Sequence, residues 1–187
     1  MSCSSRLACN LVTAHRLTHT CTIAVVVNVG NRGAVPGDTE WKMPDRQLVS
    51  SGGPFERKYG YSRAVRVGDR VFVAGTAAFK DGAPVAPGDA AAQTRHILGV
   101  IAAALEEAGA SLEDVTRYRI YVTDMNDYDA VGQEFGRVFG DIRPAGTMVG
   151  TSALIHPDLK VEIEVDAIIG SGGSGDDDVV AVDEVSS

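Results

Sequence analysis

Residues 160–167 read Lys-Val-Glu-Ile-Glu-Val-Asp-Ala, and this strict exchange of apolar and acidic residues constrains the fold more than any other stretch. Side chains of a strand point alternately to its two faces. Val161, Ile163 and Val165 therefore share one face, and Glu162, Glu164 and Asp166 share the other. Such a strand belongs in a sheet with one face in a core and the other against water or a partner. Its carboxylates follow one another at about 7 Å along the strand. Two readings of them are open: a solvated face paired with Arg117 and Arg119 of a neighbouring strand, or one carboxylate held near a bare sheet edge or subunit seam as general base on a water.

The elements before this strand decide what kind of sheet it joins. Residues 61–75 place two short β-branched runs around Gly68 and Asp69, a hairpin signal. A loop with Asp81, Gly82, Pro84, Pro87 and Gly88 follows. Apolar residues then recur at Ile97, Leu98, Ile101, Ala104, Leu105 and Ala108 with helical spacing, with Asp89 placed as N-cap and Gly109 as terminator. Ser111 to Asp114 makes a turn or short capped segment, and Tyr118, Ile120 and Val122 alternate with Arg117, Arg119 and Tyr121 as a half-buried strand. A second helix starts near Asn126 or Asp127 with Tyr128, Val131, Phe135, Val138 and Phe139 on one face, and strands at Thr147–Leu154 and Val161–Ala167 close the domain. The order β-β-α-β-α-β-β predicts an α+β fold, a mixed sheet covered on one face by two helices. Its other face is expected to be buried by self-association.

Charge divides the 187 residues into three regimes. Residues 1–37 carry three arginines and no acid, residues 38–169 carry 14 basic and 20 acidic residues, and residues 170–187 carry five acids and no base. We read residues 1–42 as a disordered or mis-annotated extension, with Met43 an alternative start, residues 43–170 as the folded domain, and residues 171–187 as a disordered acidic Gly/Ser/Asp tail. A net charge of −8 disfavours a protein that holds nucleic acid or anionic membrane by neutralising phosphates. The apolar run Ile23–Val27 is too short for a signal-peptide core or a membrane span, so a cytoplasmic protein is expected.

All three cysteines, Cys3, Cys9 and Cys21, fall in the first segment with His15 and His19, but without the close pair usual in structural zinc sites. No metal is expected. The domain shows no phosphate-binding glycine loop and no serine triad, and its two imidazoles, His96 and His156, sit outside any motif.

Several segments nevertheless fall in one register. Tyr61 through Val71–Gly75, Gln93-Thr94-Arg95, Val122 to Asp127, Arg143-Pro144-Ala145 and Val161 to Glu164 resemble, in order and spacing, the Rid family, also called YjgF, over roughly residues 57–169. The resemblance implies a chorismate-mutase-like fold assembled as a homotrimer, with small-molecule clefts at the subunit seams. It implies hydrolysis of enamine and imine intermediates to oxo compounds and ammonia, with no cofactor and water as co-substrate. It also implies site residues: Tyr61 as the cleft tyrosine, Gly75 as the strand glycine with its backbone contacts, and Glu162 as the carboxylate that orients water.

The chain departs from the family elsewhere. The cleft asparagine falls at Gly132, a frequent cleft cysteine falls at Met148, and the arginine that grips a substrate carboxylate is replaced by Gly146, followed by Thr147. Gly146, Thr147 and Met148 remain the substrate-binding segment, now without a guanidinium. Arg63 and Arg143 do not occupy the matching position and read as surface charges. Loss of the arginine implies a deaminase weakened or retargeted, with an imino acid, an oxo acid or an amidine-like compound as ligand. The alternative is a non-catalytic ligand-sensing or partner-regulating trimer. RNA cleavage is disfavoured by the acidic domain.

Overall fold

The structure, a computed structural model, describes residues 45–172. In chain order its elements are β1 (Arg46–Val49), α1 (Pro54–Tyr59), β2 (Ala64–Val67), β3 (Arg70–Ala77), β4 (Phe79–Lys80), β5 (Ala83–Pro84), α2 (Ala90–Glu107), β6 (Val115–Val122), α3 (Tyr128–Phe139), β7 (Ala145–Gly150) and β8 (Val161–Ile168). Single 3₁₀ turns at Leu112–Asp114 and Met125–Asp127 precede β6 and α3. The expected metal-free cysteine segment and both expected tails, apart from Ser171 and Gly172, lie outside the described residues.

Six strands form one sheet in the order β1-β2-β3-β8-β6-β7. Only β6 and β7 run parallel, because α3 carries the chain from one to the other; the remaining neighbours are antiparallel. The acidic-apolar strand β8 thus lies in the middle. Its Val161, Ile163 and Val165, with Val71 and Val73 of β3 and Ile120 and Val122 of β6, are buried beneath Ile97, Ile101 and Leu105 of α2 and Val131, Phe135 and Phe139 of α3. Each such side chain contributes about 1.5–3 kcal/mol through burial. Both helices cover the same face, and the opposite face leaves Leu48, Phe72 and Val149 exposed.

Local signals act as the residue types dictate. The Asp89 carboxylate accepts from Ala92 N at 2.9 Å and starts α2, and Gly109 follows the helix at φ 78°, which a side chain resists. Ser111 and Asp114 form a reciprocal capping box, and Asp114 also accepts from Gly170 N at 2.7 Å, tying the end of β8 to this turn. Buried Gln93 donates to Ala86 O and Asp158 O and accepts from Lys160 N, joining α2 to the approach into β8.

Three expectations shift. β7 occupies residues 145–150, two residues earlier than read and ending at Gly150, because 151–160 leave the sheet. Tyr128 is 54% exposed and does not join the buried face of α3. The loop after β3 contains a two-residue hairpin, β4–β5, turned at Asp81 and Gly82, both at positive φ. β1 and α1 have no expected counterpart: four and six residues are too few for periodicity to register.

Candidate functional site

The sheet is irregular at two points, where β6 slips against β8 between Val115 and Arg117 and where β3 meets β8. Pairing of β3 with β8 slips between Val73 and Thr76, so β3 bulges at Ala74 and Gly75. Ala74 N donates to Arg63 O, and Arg63 Nη1 in turn donates to Gly75 O at 3.1 Å and to Thr76 Oγ1 at 2.5 Å. On β8, Glu162 stands opposite Ala77 and Tyr121 and leans its carboxylate onto Gly75. A Cβ at residue 75 would overlap Glu162 Oε1, so only glycine permits this approach. Tyr61 lies at the mouth, 41% exposed, with its ring centroid 5.8 Å from the Arg63 guanidinium carbon.

The electrostatics single out one acid of the β8 row. Arg119 Nη1 bonds Glu164 at 2.6 Å, and its other nitrogen lies 4.0 Å from Asp166, so these two carboxylates belong to a partly solvated cross-strand pair. Glu162 is different. Half-buried, its carboxyl is pushed above the ordinary glutamate range by burial, with Glu164 adding to the rise and Arg63 opposing it. A carboxylate with raised proton affinity beside a bulge that displays backbone groups can take a proton from water.

Tyr61, Gly75 and Glu162 are therefore gathered at one place, and Arg63 stands at its back. Arg63, expected as a surface charge, is only 9% exposed; it is bonded to the bulge and lines a concavity with Ser50, Ser51 and, on α2, Gly99 and Ala103, and the bulge is not legible as such in the sequence. Behind it Glu56 is also buried, accepting from Ser50 Oγ, Ser51 N and Ser51 Oγ. Burial pushes the Glu56 carboxyl up, but the serine bonds and Arg63 together hold it below its ordinary range.

Gly146, Thr147 and Met148 are placed elsewhere. They pair with Tyr118, Arg119 and Ile120 along the edge strand β7, three strands from Gly75, about 14 Å by strand spacing alone. Thr147 shares the open face with Arg119, while Gly146 and Met148 share the helix-covered face with Tyr118 and Ile120. The Tyr118 ring lies across Gly146, tilted at 45° to the Phe135 ring with centroids 4.1 Å apart, so that a Cβ at 146 would overlap the phenol. Within the chain these residues do not reach Glu162. Gly132 on α3 has open space around it.

On the open face a concavity of about 600 Å³ runs beside the site, lined by Tyr61, Ser62, Phe72, Arg119, Glu164 and Asp166. His156 accepts from Asp158 N within its own loop. Among the described residues, no group of three or more His, Cys, Asp or Glu residues is arranged to hold a metal, and no helix is long and apolar enough to cross a membrane.

A six-stranded mixed sheet with a bulged central strand, covered on one face by two helices, defines an α+β domain. Residues 55–169 match the Endoribonuclease L-PSP family. The chain belongs to this family, also known as the YjgF/Rid family, and has its chorismate-mutase-like α+β fold. It is 38% identical over 123 residues to the uncharacterised protein SCO2049 of Streptomyces coelicolor, covering 66% of this chain and 92% of that one. The crystal structure of Rv2704 from Mycobacterium tuberculosis, a member of the YjgF/YER057c/UK114 family, is 50% identical with a TM-score of 0.62, covering 67% of this chain and all of that one. The YjgF gene product of E. coli superposes with a TM-score of 0.54 at 28% identity, covering 65% and 92% of the two chains.

Proposed function

We propose that this protein hydrolyses the C=N bond of reactive imines, and of the enamines in equilibrium with them, at clefts closed by self-association of its open sheet face into a homotrimer in the cytoplasm. The observation that carries the reading is Glu162, a half-buried carboxylate of raised proton affinity resting on Gly75. Water held by Glu162 attacks the imine carbon; Glu162 takes the water proton and hands it to the nitrogen that receives the C=N electron pair, giving the carbinolamine, whose hydroxyl proton then passes through Glu162 to nitrogen. Loss of ammonia leaves a carbonyl product. No metal or cofactor is required by this sequence.

The substrate is one without a carboxylate at the end that meets β7. Tyr118 fills the space of a side chain at residue 146, so no cation arises there. For a carboxylate substrate, lack of a charge-assisted bidentate contact costs about 2–5 kcal/mol, roughly 30-fold to several-thousand-fold. Imines made by an amine oxidase should therefore be hydrolysed faster than those made by an amino-acid oxidase, read as carbonyl product before and after adding the protein. Equal, uncatalysed rates for both classes would remove the enzyme reading.

The occupied position at 146 equally favours a second reading, a trimer that senses a small ligand without turning it over. Mass spectrometry of metabolites retained by the purified protein separates the two, since a sensor keeps an unaltered ligand. Light scattering tests the seam: a monodisperse monomer at micromolar concentration contradicts both readings. The family's printed name refers to an endoribonuclease, a role that the net charge of −8 disfavours here.

A further inference from the structure

We infer that Arg63 is a positioning residue for Glu162: from behind the β3 bulge it holds Gly75, the surface on which that carboxylate rests, and presents its positive charge to it. A buried guanidinium is costly unless its charge and donors are answered. Arg63 is 9% exposed, yet among the described residues no carboxylate lies within ion-pair distance of it, and its Nε is buried without a hydrogen-bond partner. What it holds instead is backbone and hydroxyl: Gly75 O and Thr76 Oγ1, the two residues at the end of the bulge. Thr76 passes the restraint on by donating to Ala74 O at 2.9 Å. Arg63 thus fixes three consecutive residues of β3, the middle one being the glycine that Glu162 touches.

Among the described residues, Arg63 is the one cation that acts on Glu162. Glu164 on its own strand repels it, Tyr121 stands across on β6, Ala77 across on β3 is uncharged, and Glu56 of α1 faces Arg63 from the other side. Burial and Glu164 favour the protonated acid, and Arg63 alone favours the carboxylate that a general base must be. A structural tether would need only the donors; a base-tuning residue also needs the charge.

The catalytic consequence rests on the function proposed above, but the titration of Glu162 does not. The experiment is carboxyl-carbon NMR of the full chain with labelled glutamate, the Glu162 signal assigned by Glu162→Gln, in the parent protein and in Arg63→Gln, Arg63→Lys and Thr76→Val. Arg63→Gln keeps a donor for Gly75 O and removes the charge; it should move the Glu162 midpoint upward, whereas Arg63→Lys should leave it near the parent value. Thr76→Val keeps the charge and loosens the bulge, so the midpoint should stay while kcat for imine hydrolysis falls about tenfold. If the midpoint in Arg63→Gln equals that of the parent, the inference is overturned. Should Arg63→Gln not fold, a Glu162 midpoint that moves clearly upward in Thr76→Val, which keeps the charge, would overturn it equally. A parent protein without turnover would reject the proposed reaction and leave the titration to decide the role of Arg63.

Discussion

The carboxylate of Glu162 lies against the α-carbon of Gly75, leaving no space for a β-carbon between the two strands. One residue supplies the proton acceptor and the other supplies the absence of a side chain, so each is meaningful only with its neighbour. Gly75→Ala should push the carboxylate aside without disturbing the core, since the atoms nearest the added Cβ all belong to the Glu162 side chain. A displacement of the order of 1 Å is expected to lower kcat/KM for imine hydrolysis by about a hundredfold, while the melting temperature changes little. An unimpaired Gly75→Ala enzyme would detach Glu162 from catalysis.

Tyr118 and Gly146 form a second such pair, this time in the helix-covered layer. Gly146→Arg alone should destabilise the fold by about 1–3 kcal/mol through overpacking against the phenol. Tyr118→Ala should relieve much of that cost, giving a coupling of about 0.5–3 kcal/mol in a double-mutant cycle of chemical denaturation. Additive effects would show that the ring does not occupy the space of that side chain.

Gln93 has its side-chain carbonyl and amide spent on three backbone groups of two distant loops. Gln93→Leu keeps the volume and orphans Lys160 N, while Ala86 O and Asp158 O keep Asp89 N and Gly88 N as donors, so it should cost about 1–3 kcal/mol. Hydrogen exchange should show the loss concentrated in the approach to β8. A neutral effect would mean that water replaces the amide.

The alternation in β8, the Gly68 hairpin and the spacing along α2 were legible because each is a periodic signal that the sheet and its helices obey. The site was legible in part. By periodicity Glu162 is one of three like acids, and in the sequence only the family resemblance singles it out; what separates it physically from Glu164 and Asp166 is Arg119 on β6, a partner brought by topology. Arg63 was read as a surface charge because the bulge that takes up its donors leaves no period. The obstruction at Gly146 comes from Tyr118, 28 positions earlier, and depends on the parallel register of β6 and β7.

The central claim is that Glu162 is the base that activates water. Its proton affinity is raised in the fold, so the active carboxylate is lost as pH falls through a value above the ordinary glutamate range. The most direct measurement is kcat/KM for ammonia release from an imine without a carboxylate, followed across pH for the parent protein and for Glu162→Gln. The account predicts an acid limb displaced upward from that of a free glutamate, and a loss of about a hundredfold or more in Glu162→Gln, because an amide cannot take the proton. A Glu162→Gln protein with the parent rate and the same acid limb would contradict it.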